Sequence, residues 1–502
     1  GLSVAGMRGG MTRATRPITL SDAMLYTSQS SKANLLLSNP FCILRTVGSA
    51  GKVSYRKYFP AEELDAHFTP VHAPADSTAV CLAGRNVMIF ILESMSAEHS
   101  AHLRPDLYAD LPEKGFTPFL DSLMRHGLCF RQMYANGTRS IQAMPSVLGS
   151  IPSFRTPFVL MPQSLGRSRQ LPAILADRGY GTLFFCGSEH GSMGFGAYAR
   201  SAGVERLISR EDYEAAHGTG DFDGYWGIWD EPFLQYAGEV LDSVPEPFFA
   251  TLFTLSAHHP FVVPDAYAAT LPAGYTKIHR GVAYDDEAFR RFFARYGGEA
   301  WFRRTIFVFV ADHVSSEKFA PETRTYPGNM HILGFLYTPD GALQGEIGEV
   351  TQQLDIMPTL LGLLGCDEAY FAFGRDVLNE PARPRWSVSY DGGFRALTGD
   401  TVLTFDDNGS QITPRTDRAA MPPAVSGAVP AAKASGGTMV APERTGEPST
   451  APTSGAPAEK RPSAPGASPI VRSAEELLGD FQALVQQYYM HIEKKNYTTH
   501  DD

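Results

Sequence analysis

The chain has 502 residues, is 43% hydrophobic and 19% charged, and carries a formal net charge of −11. That is long and apolar enough for one large domain with appendages, or for two to three ordinary ones. The acidic balance excludes a general nucleic-acid binder, which needs a basic face for phosphates, but leaves room for a small phosphate site where a metal supplies positive charge locally.

Residues 1–80 are mixed and irregular, with a short apolar stretch around Leu35–Leu44, and read as an N-terminal arm. A dense strand–helix pattern follows. Asn86–Leu92 is a continuous apolar run, as expected of a strand buried on both faces. Thr117–His126 has helical spacing and opens on Thr-Pro, a good helix start. Gly181–Phe185, Phe248–Leu255, Thr305–Ala311 and Ile332–Tyr337 read as further buried strands, with helical stretches such as Leu171–Arg178 and Asp285–Tyr296 between them. This alternation predicts an α/β fold with a mainly parallel sheet covered on both faces, whose ligands bind at the carboxyl ends of the strands.

Trp386–Tyr390 and Thr401–Phe405 read as a small C-terminal hairpin joined by Asp391-Gly392-Gly393. The predicted catalytic domain therefore spans 81–410. Residues 411–470 turn to Ala, Pro, Ser, Gly and Thr, a composition that buries too little apolar surface to fold and predicts a disordered linker. In 471–502 helical spacing returns, with Leu477, Leu478, Phe481, Leu484, Val485 and Tyr488 on one side.

The five cysteines, Cys42, Cys81, Cys129, Cys186 and Cys366, are an odd number with wide spacing and no C-x-x-C, so neither a zinc ribbon nor a disulfide framework is expected. No apolar run reaches the ~18 residues of a membrane span, and no signal peptide is visible.

Four features carry chemistry, each at a strand end or helix start. Glu93 follows the strand Val87–Leu92, and Asp312 and His313 close the strand Thr305–Ala311, offering oxygen and nitrogen ligands to one cation. The stretch Asn136-Gly-Thr-Arg-Ser140 turns into a helix, and a hydroxyl there, Thr138 or Ser140, sits in positive potential that favours its alkoxide and a phosphate. His258 and His259, in Thr254-Leu-Ser-Ala-His-His-Pro-Phe261, can bind an anion or protonate a leaving group. Singly, each has a bland reading: a solvated strand-end charge, a helix cap, a surface histidine. Together, in order, they are far more specific.

These four segments, with Asp223–Glu231 (DGYWGIWDE) and Gln353–Leu361 (QLDIMPTLL), resemble the ordered signature of the lipoteichoic acid synthase-like branch of the alkaline phosphatase and sulfatase superfamily, over roughly residues 80–375. The resemblance implies the α/β sandwich of that superfamily. It implies one divalent cation, manganese or magnesium favoured and zinc compatible, held by Glu93, the nucleophilic hydroxyl, Asp312 and His313. Related phosphoethanolamine transferases place a nucleophilic Thr five residues before a Pro at a helix start. Ser140 stands five before Pro145 and Thr138 seven, so Ser140 is preferred, although the family residue is usually Thr. His258 matches the family's Ser-x-His-x-Pro histidine.

The implied activity is phospho-group transfer to or from a lipid or glycan head group through a phospho-Ser or phospho-Thr intermediate, with phosphodiester or sulfuric ester hydrolysis as the alternative and a non-catalytic binding protein behind both. Formylglycine chemistry requires a Pro two and an Arg four residues after the nucleophile. Ser140 is followed by Ile141, Gln142, Ala143 and Met144 instead. In phosphoglycerol-polymerising members a His, a Trp and an Arg follow the strand corresponding to Gly181–Phe185. Here Cys186, Met193 and Phe195 stand there, which leaves Glu189 and His190 as substitute substrate contacts. The resemblance, and a chain that opens on Gly1 rather than Met, point to a membrane anchor preceding residue 1 and an extracytoplasmic (periplasmic or extracellular) catalytic domain.

Overall fold

The computed structural model describes residues 19, 21–27, 32, 35–46, 53–74, 80–415 and 472–499. Among them the central sheet has nine strands. Its principal members are β1 (Asn86–Leu92), β2 (Leu128–Tyr134), β3 (Gly181–Cys186), β4 (Arg206–Ile208), β5 (Phe248–Phe253), β6 (Thr305–Ala311), β7 (Gly334–Tyr337) and β8 (Gly345–Gln352). They lie in the order β8-β2-β7-β6-β1-β5-β3-β4. β1 pairs in parallel with both β5 and β6, and every residue of these three strands is buried, which is why each reads as an unbroken apolar run.

β7 is the exception to parallel pairing among these eight: it runs antiparallel to both β6 and β2. The chain between β6 and β7 forms short 3-10 turns and the two-residue strand His331–Ile332, antiparallel to β2, so no crossover helix returns it to the far edge to start a parallel strand. Because β7 alone among these eight is reversed, β1, β2, β3, β5 and β6 all end at the same edge.

The helices that matter are α1 (Pro118–His126), α2 (Ser140–Gly149), α3 (Asp230–Leu241), α4 (Ile278–Tyr296), α5 (Ile356–Leu363) and α6 (Ala474–Lys494). α4 lays an aromatic stripe on the sheet. Phe289 meets Phe90 edge-on at 4.9 Å between ring centres, and Phe293 meets Phe307 at 5.2 Å. α1 and α3 pack against α4, while α2 packs on α5.

Past the sheet, Ser387–Tyr390, Phe394–Leu397, Thr401–Phe405 and Ser410–Pro414 form a four-stranded antiparallel meander. This corrects the expected hairpin. The turn at Asp391–Gly393 leads into Phe394–Leu397, which pairs with both runs seen in sequence, and they do not pair with each other. Four residues are too short a run to register as periodicity. The linker boundary moves too: residues 411–414 belong to the fourth strand, and 416–471 lie outside the described residues.

α6 covers the meander. Phe481 packs against Phe405 and Trp386, and Tyr488 against Phe154 and Phe373. The segment 53–68 lies along the same helix. Gln486 accepts the amides of Tyr58 and Phe59 and donates to the Phe59 carbonyl, and Tyr55 stacks on Tyr489 at 5.6 Å. No helix among the described residues is long and apolar enough to cross a membrane, and all five cysteines are free thiols.

Candidate metal centre

The common strand edge brings four side chains together. Glu93 leaves the tip of β1, Asp312 and His313 the tip of the adjacent β6, and Ser140 opens α2. One ligand atom from each of Glu93, Asp312 and His313 lies within 4.8 Å of the others. Ser140 Oγ stands 3.3 Å from Glu93 Oε2 and 3.3 Å from His313 Nε2.

Local bonds aim these groups inward. His313 Nδ1 lies 3.0 Å from the Val314 carbonyl and donates to it, which leaves the Nε2 lone pair facing the cluster. Asp312 Oδ1 accepts the amides of Ser94 (2.8 Å) and His313 (2.6 Å), while its buried Oδ2 lies 3.3 Å from His313 Nε2. The Ser94 hydroxyl donates to Glu93 Oε1 at 2.7 Å, and the Glu93 amide donates to Thr254 Oγ1 at 2.9 Å. Ser94 holds a φ of 56°, an unusual conformation for a residue with a side chain, at the turn that carries Glu93.

Burial, and then the neighbouring Glu93, push the Asp312 carboxyl up to about 7. Burial would lower the His313 pKa, but attraction from Asp312 and Glu93 outweighs it and the imidazole titrates above its usual value. Two crowded carboxylates and an imidazole whose Nε2 lies 3.3 Å from Asp312 Oδ2 suit a divalent cation, which would neutralise the repulsion between the carboxylates.

The sequence-predicted residues divide by depth. Glu93, Ser140, Asp312 and His313 converge. Thr138 is exposed, and its hydroxyl makes no hydrogen bond among the described residues; its amide and that of Arg139 both donate to Gln142 Oε1, which shapes the helix start. His258 and His259 lie on the loop leaving β5, half-buried and exposed respectively. His258 Nδ1 sits 2.9 Å from the His259 carbonyl, and the Trp226 ring packs 4.1 Å from the His258 ring while its Nε1 donates to that same carbonyl. Glu189 and His190 follow β3, one strand further out. Glu189 lies 3.8 Å from Arg210, and the His190 amide donates to Glu211. Cys186 caps β3 as a buried thiol pushed up to about 11 by burial.

Sequence reasoning missed Trp226, Lys318 and the pair Asp230 and Asp285. Trp226 stands in a stretch noted for its resemblance, where Asp223 Oδ1 accepts the amides of Tyr225, Trp226 and Gly227 and fixes the turn. Lys318, five residues after His313, is half-buried and has no hydrogen bond or ion pair to any described residue. Burial lowers its ammonium pKa, and its charge is felt at His313 and His99.

The sequence model of the sulfatase family matches residues 85–366. The chain belongs to the sulfatase family. The wider superfamily of that family holds phosphotransferases and hydrolases. It is 23% identical over 403 residues to the lipoteichoic acid synthase-like protein YvgJ of Bacillus subtilis, covering 74% of this chain and 63% of that protein. It is 24% identical over 233 residues to lipoteichoic acid synthase 2 of the same organism, covering 43% and 35%. The chain thus spans less than two thirds of the length of these curated relatives. Among solved structures, an alkaline phosphatase superfamily protein from Vibrio parahaemolyticus superposes with a TM-score of 0.64 at 21% identity, covering 92% of this chain and 98% of that one. The lipoteichoic acid synthase LtaP from Listeria monocytogenes superposes with a TM-score of 0.58 at 20% identity, covering 72% and 93%. These likenesses show the superfamily fold, with helices on both faces of the mostly parallel sheet.

Proposed function

We propose that this sulfatase-family chain transfers a phospho-group to or from a lipid or glycan head group through a phosphoserine at Ser140. One observation carries the reading: the Ser140 hydroxyl, at the start of α2, lies 3.3 Å from both Glu93 and His313 in a cluster suited to a cation. Glu93, Ser140, Asp312 and His313 would hold one divalent cation, with manganese or magnesium favoured by the family resemblance and zinc compatible with the donor set. A cation bound there lowers the pKa of the hydroxyl and draws charge from the phosphoryl oxygens.

The residues then divide the work. Ser140 Oγ passes its proton to Glu93 Oε2, 3.3 Å away, as it forms a bond to phosphorus and the donor's P–O bond breaks on the opposite side. The helix N-terminus favours the anionic nucleophile and the incoming phosphate. His258 gives the departing alkoxide a proton, and its ring is held for this by the His259 carbonyl and Trp226. A second alcohol gives its proton to His258 as it takes the group from Ser140, whose oxygen recovers the proton held by Glu93. Lys318, which makes no direct ion pair although it feels the charge of Glu98, supplies a cation for the anionic head group, and His259, His190 and Glu189 line the outer approach.

The resemblance to lipoteichoic acid synthases supports tethering of this domain at the outer face of a membrane through an anchor in the longer protein. A tethered site meets lipid head groups at high effective concentration.

Incubation with manganese and a panel of phospholipids, followed by intact-mass analysis, tests the reading. A phospho-adduct mapping to Ser140, absent from Ser140→Ala, is expected. An adduct on Thr138, or turnover of sulfate esters alone, would overturn it. Release of the group to water without any alcohol acceptor would convert the transferase into a phosphodiesterase.

A further inference from the structure

Behind the metal centre lies a second pair of carboxyl groups that the proposed chemistry does not use. Asp230 begins α3 and Asp285 sits near the middle of α4, and both are buried, Asp285 completely. Their surroundings differ sharply. Asp230 is built to carry charge: it accepts the Leu255 amide at 2.9 Å and the Ser256 amide at 2.6 Å, and its own amide donates to Ser256 Oγ at 3.0 Å.

Asp285 receives nothing. No donor among the described residues reaches either of its oxygens. Its neighbour Asp286, by contrast, is fully engaged, accepting the Phe119 and Leu120 amides at 2.9 and 2.8 Å at the start of α1. α3 packs on α4 with the Glu231 amide donating to the Tyr284 hydroxyl at 3.2 Å, which sets Asp230 beside Asp285, and Asp230 is the charge that weighs most on it. Two carboxylates are both acceptors and cannot bond unless one carries a proton. The other charges registering on Asp285, from Glu93 and Asp286, are negative as well. A fully buried, unpaired carboxylate in such a field is strongly disfavoured.

We infer that Asp285 is a neutral carboxylic acid that donates its proton to Asp230, and that this acid pair is the positioning element for the loop carrying His258. Asp230, with two backbone donors, keeps the charge; Asp285, with none, keeps the proton. The direction of titration agrees. Burial first and Asp230 second hold the Asp285 carboxyl well above the usual range, whereas Asp230 is raised only to about 6, chiefly by burial.

The mechanical path is short. Asp230 fixes the amides of Leu255 and Ser256, and the His258 amide donates to the Leu255 carbonyl at 3.0 Å. One residue earlier, Thr254 Oγ1 receives the Glu93 amide. The Asp285–Asp230 bond therefore braces the loop between the metal-ligand turn and the leaving-group histidine, and ties both to the α3–α4 layer. Neither aspartic acid touches the reacting atoms in this arrangement, so both act through the loop.

A cation between the two carboxyls is the competing occupant. Asp230 already spends its oxygens on backbone donors, and the one three-ligand cluster found among the described residues is Glu93, Asp312 and His313.

The test compares Asp285→Asn with Asp285→Leu in the full chain. The side-chain amide of Asn can donate as the acid does, so Asp285→Asn should retain turnover, KM and a single bound manganese. Asp285→Leu removes the donor, and kcat should fall at least about tenfold, the scale on which outer partners of a site act. An infrared difference spectrum, metal-free wild type minus Asp285→Asn, should show one protonated-carboxyl band. That band should persist at alkaline pH, above the range where Asp286, Asp312 and Asp355 titrate, about 7 each. Absence of the band, equal damage from Asn and Leu, or loss of a second metal ion in Asp285→Asn would each overturn the inference. The infrared and metal readouts need no substrate, so they stand even if the phosphotransferase reading fails, and they decide the matter if the Leu variant does not fold.

Discussion

The floor and the rim of this site are built in opposite ways. Glu93, Asp312 and His313 stand on the tips of β1 and β6, strands buried along their whole length and paired to each other residue by residue. Their mutual geometry is set by the hydrogen-bond ladder of the core. His258, His259, Trp226, Glu189, His190 and Lys318 stand on loops, half-buried or exposed, and what holds His258 and Trp226 there is single hydrogen bonds and one ring contact. A core-anchored floor keeps one chemistry, while a loop-borne rim is free to change which molecule reaches it. Cys186, Met193 and Phe195, which the resemblance sets against the phosphoglycerol-polymerising pattern, stand at and just beyond the end of β3, with Cys186 and Phe195 buried.

The sharpest break of this contrast is Ser140→Ala. Loss of the nucleophile should reduce turnover by about four orders of magnitude or more, with the thermal unfolding midpoint little changed, as steady-state assays and calorimetry would show. Retained turnover in that variant would remove Ser140 from the floor.

Asp312→Asn should weaken manganese binding by more than about 100-fold, beyond the effect of an outer partner, measured by titration calorimetry. The metal-free variant should be at least as stable as wild type, because it no longer sets a buried carboxylate against Glu93. The stabilisation that metal gives the wild type should vanish with the affinity.

His258→Ala tests the rim through chemistry. With an alkyl leaving group, kcat should drop about 10²- to 10⁴-fold. With p-nitrophenyl esters, whose leaving group needs no proton, the loss should be far smaller. Equal losses on both would make His258 a binding group only.

Lys318→Met should raise KM for an anionic substrate by about tenfold, the equivalent of ~1.4 kcal/mol, and flatten its dependence on ionic strength, with kcat nearly constant. Thr138→Ala should be smallest, within about 0.5 kcal/mol of wild-type stability and close to wild type in turnover.

The same contrast explains what could be read from sequence. The floor was legible because each ligand directly follows a run that can only be a doubly buried strand, so the fold edge and the ligand are adjacent in the chain. The choice of Ser140 over Thr138 rested on spacing to Pro145, and the two residues indeed differ in depth. The reversal of β7 escaped, since a four-residue run with three residues buried carries no sign of direction. Asp285 escaped for a different reason. Tyr284-Asp285-Asp286 looks like a solvated acidic patch on a helix, and only the packing of α4 against α3 turns Asp285 toward Asp230. Lys318 resembles any loop lysine until its lack of a partner is seen. The meander's second strand, Phe394–Leu397, was too short to register.

The clasp formed by α6 and the segment 53–68 bears on where the chain can be cut. The family match ends at residue 366, yet the wall of the core there is completed by side chains more than a hundred residues later, among them Phe481, Leu484, Tyr488 and Ile492, all buried. Stopping the polypeptide after Pro414 would leave Trp386, Phe405 and Phe154 facing water across one continuous greasy face, the kind of surface that drives self-association. Such a fragment would hold every metal ligand and still be a poor reagent. Supplied separately, residues 472–499 form a natural second half for a split protein, whose reassembly could be scored by recovery of the folded catalytic fragment.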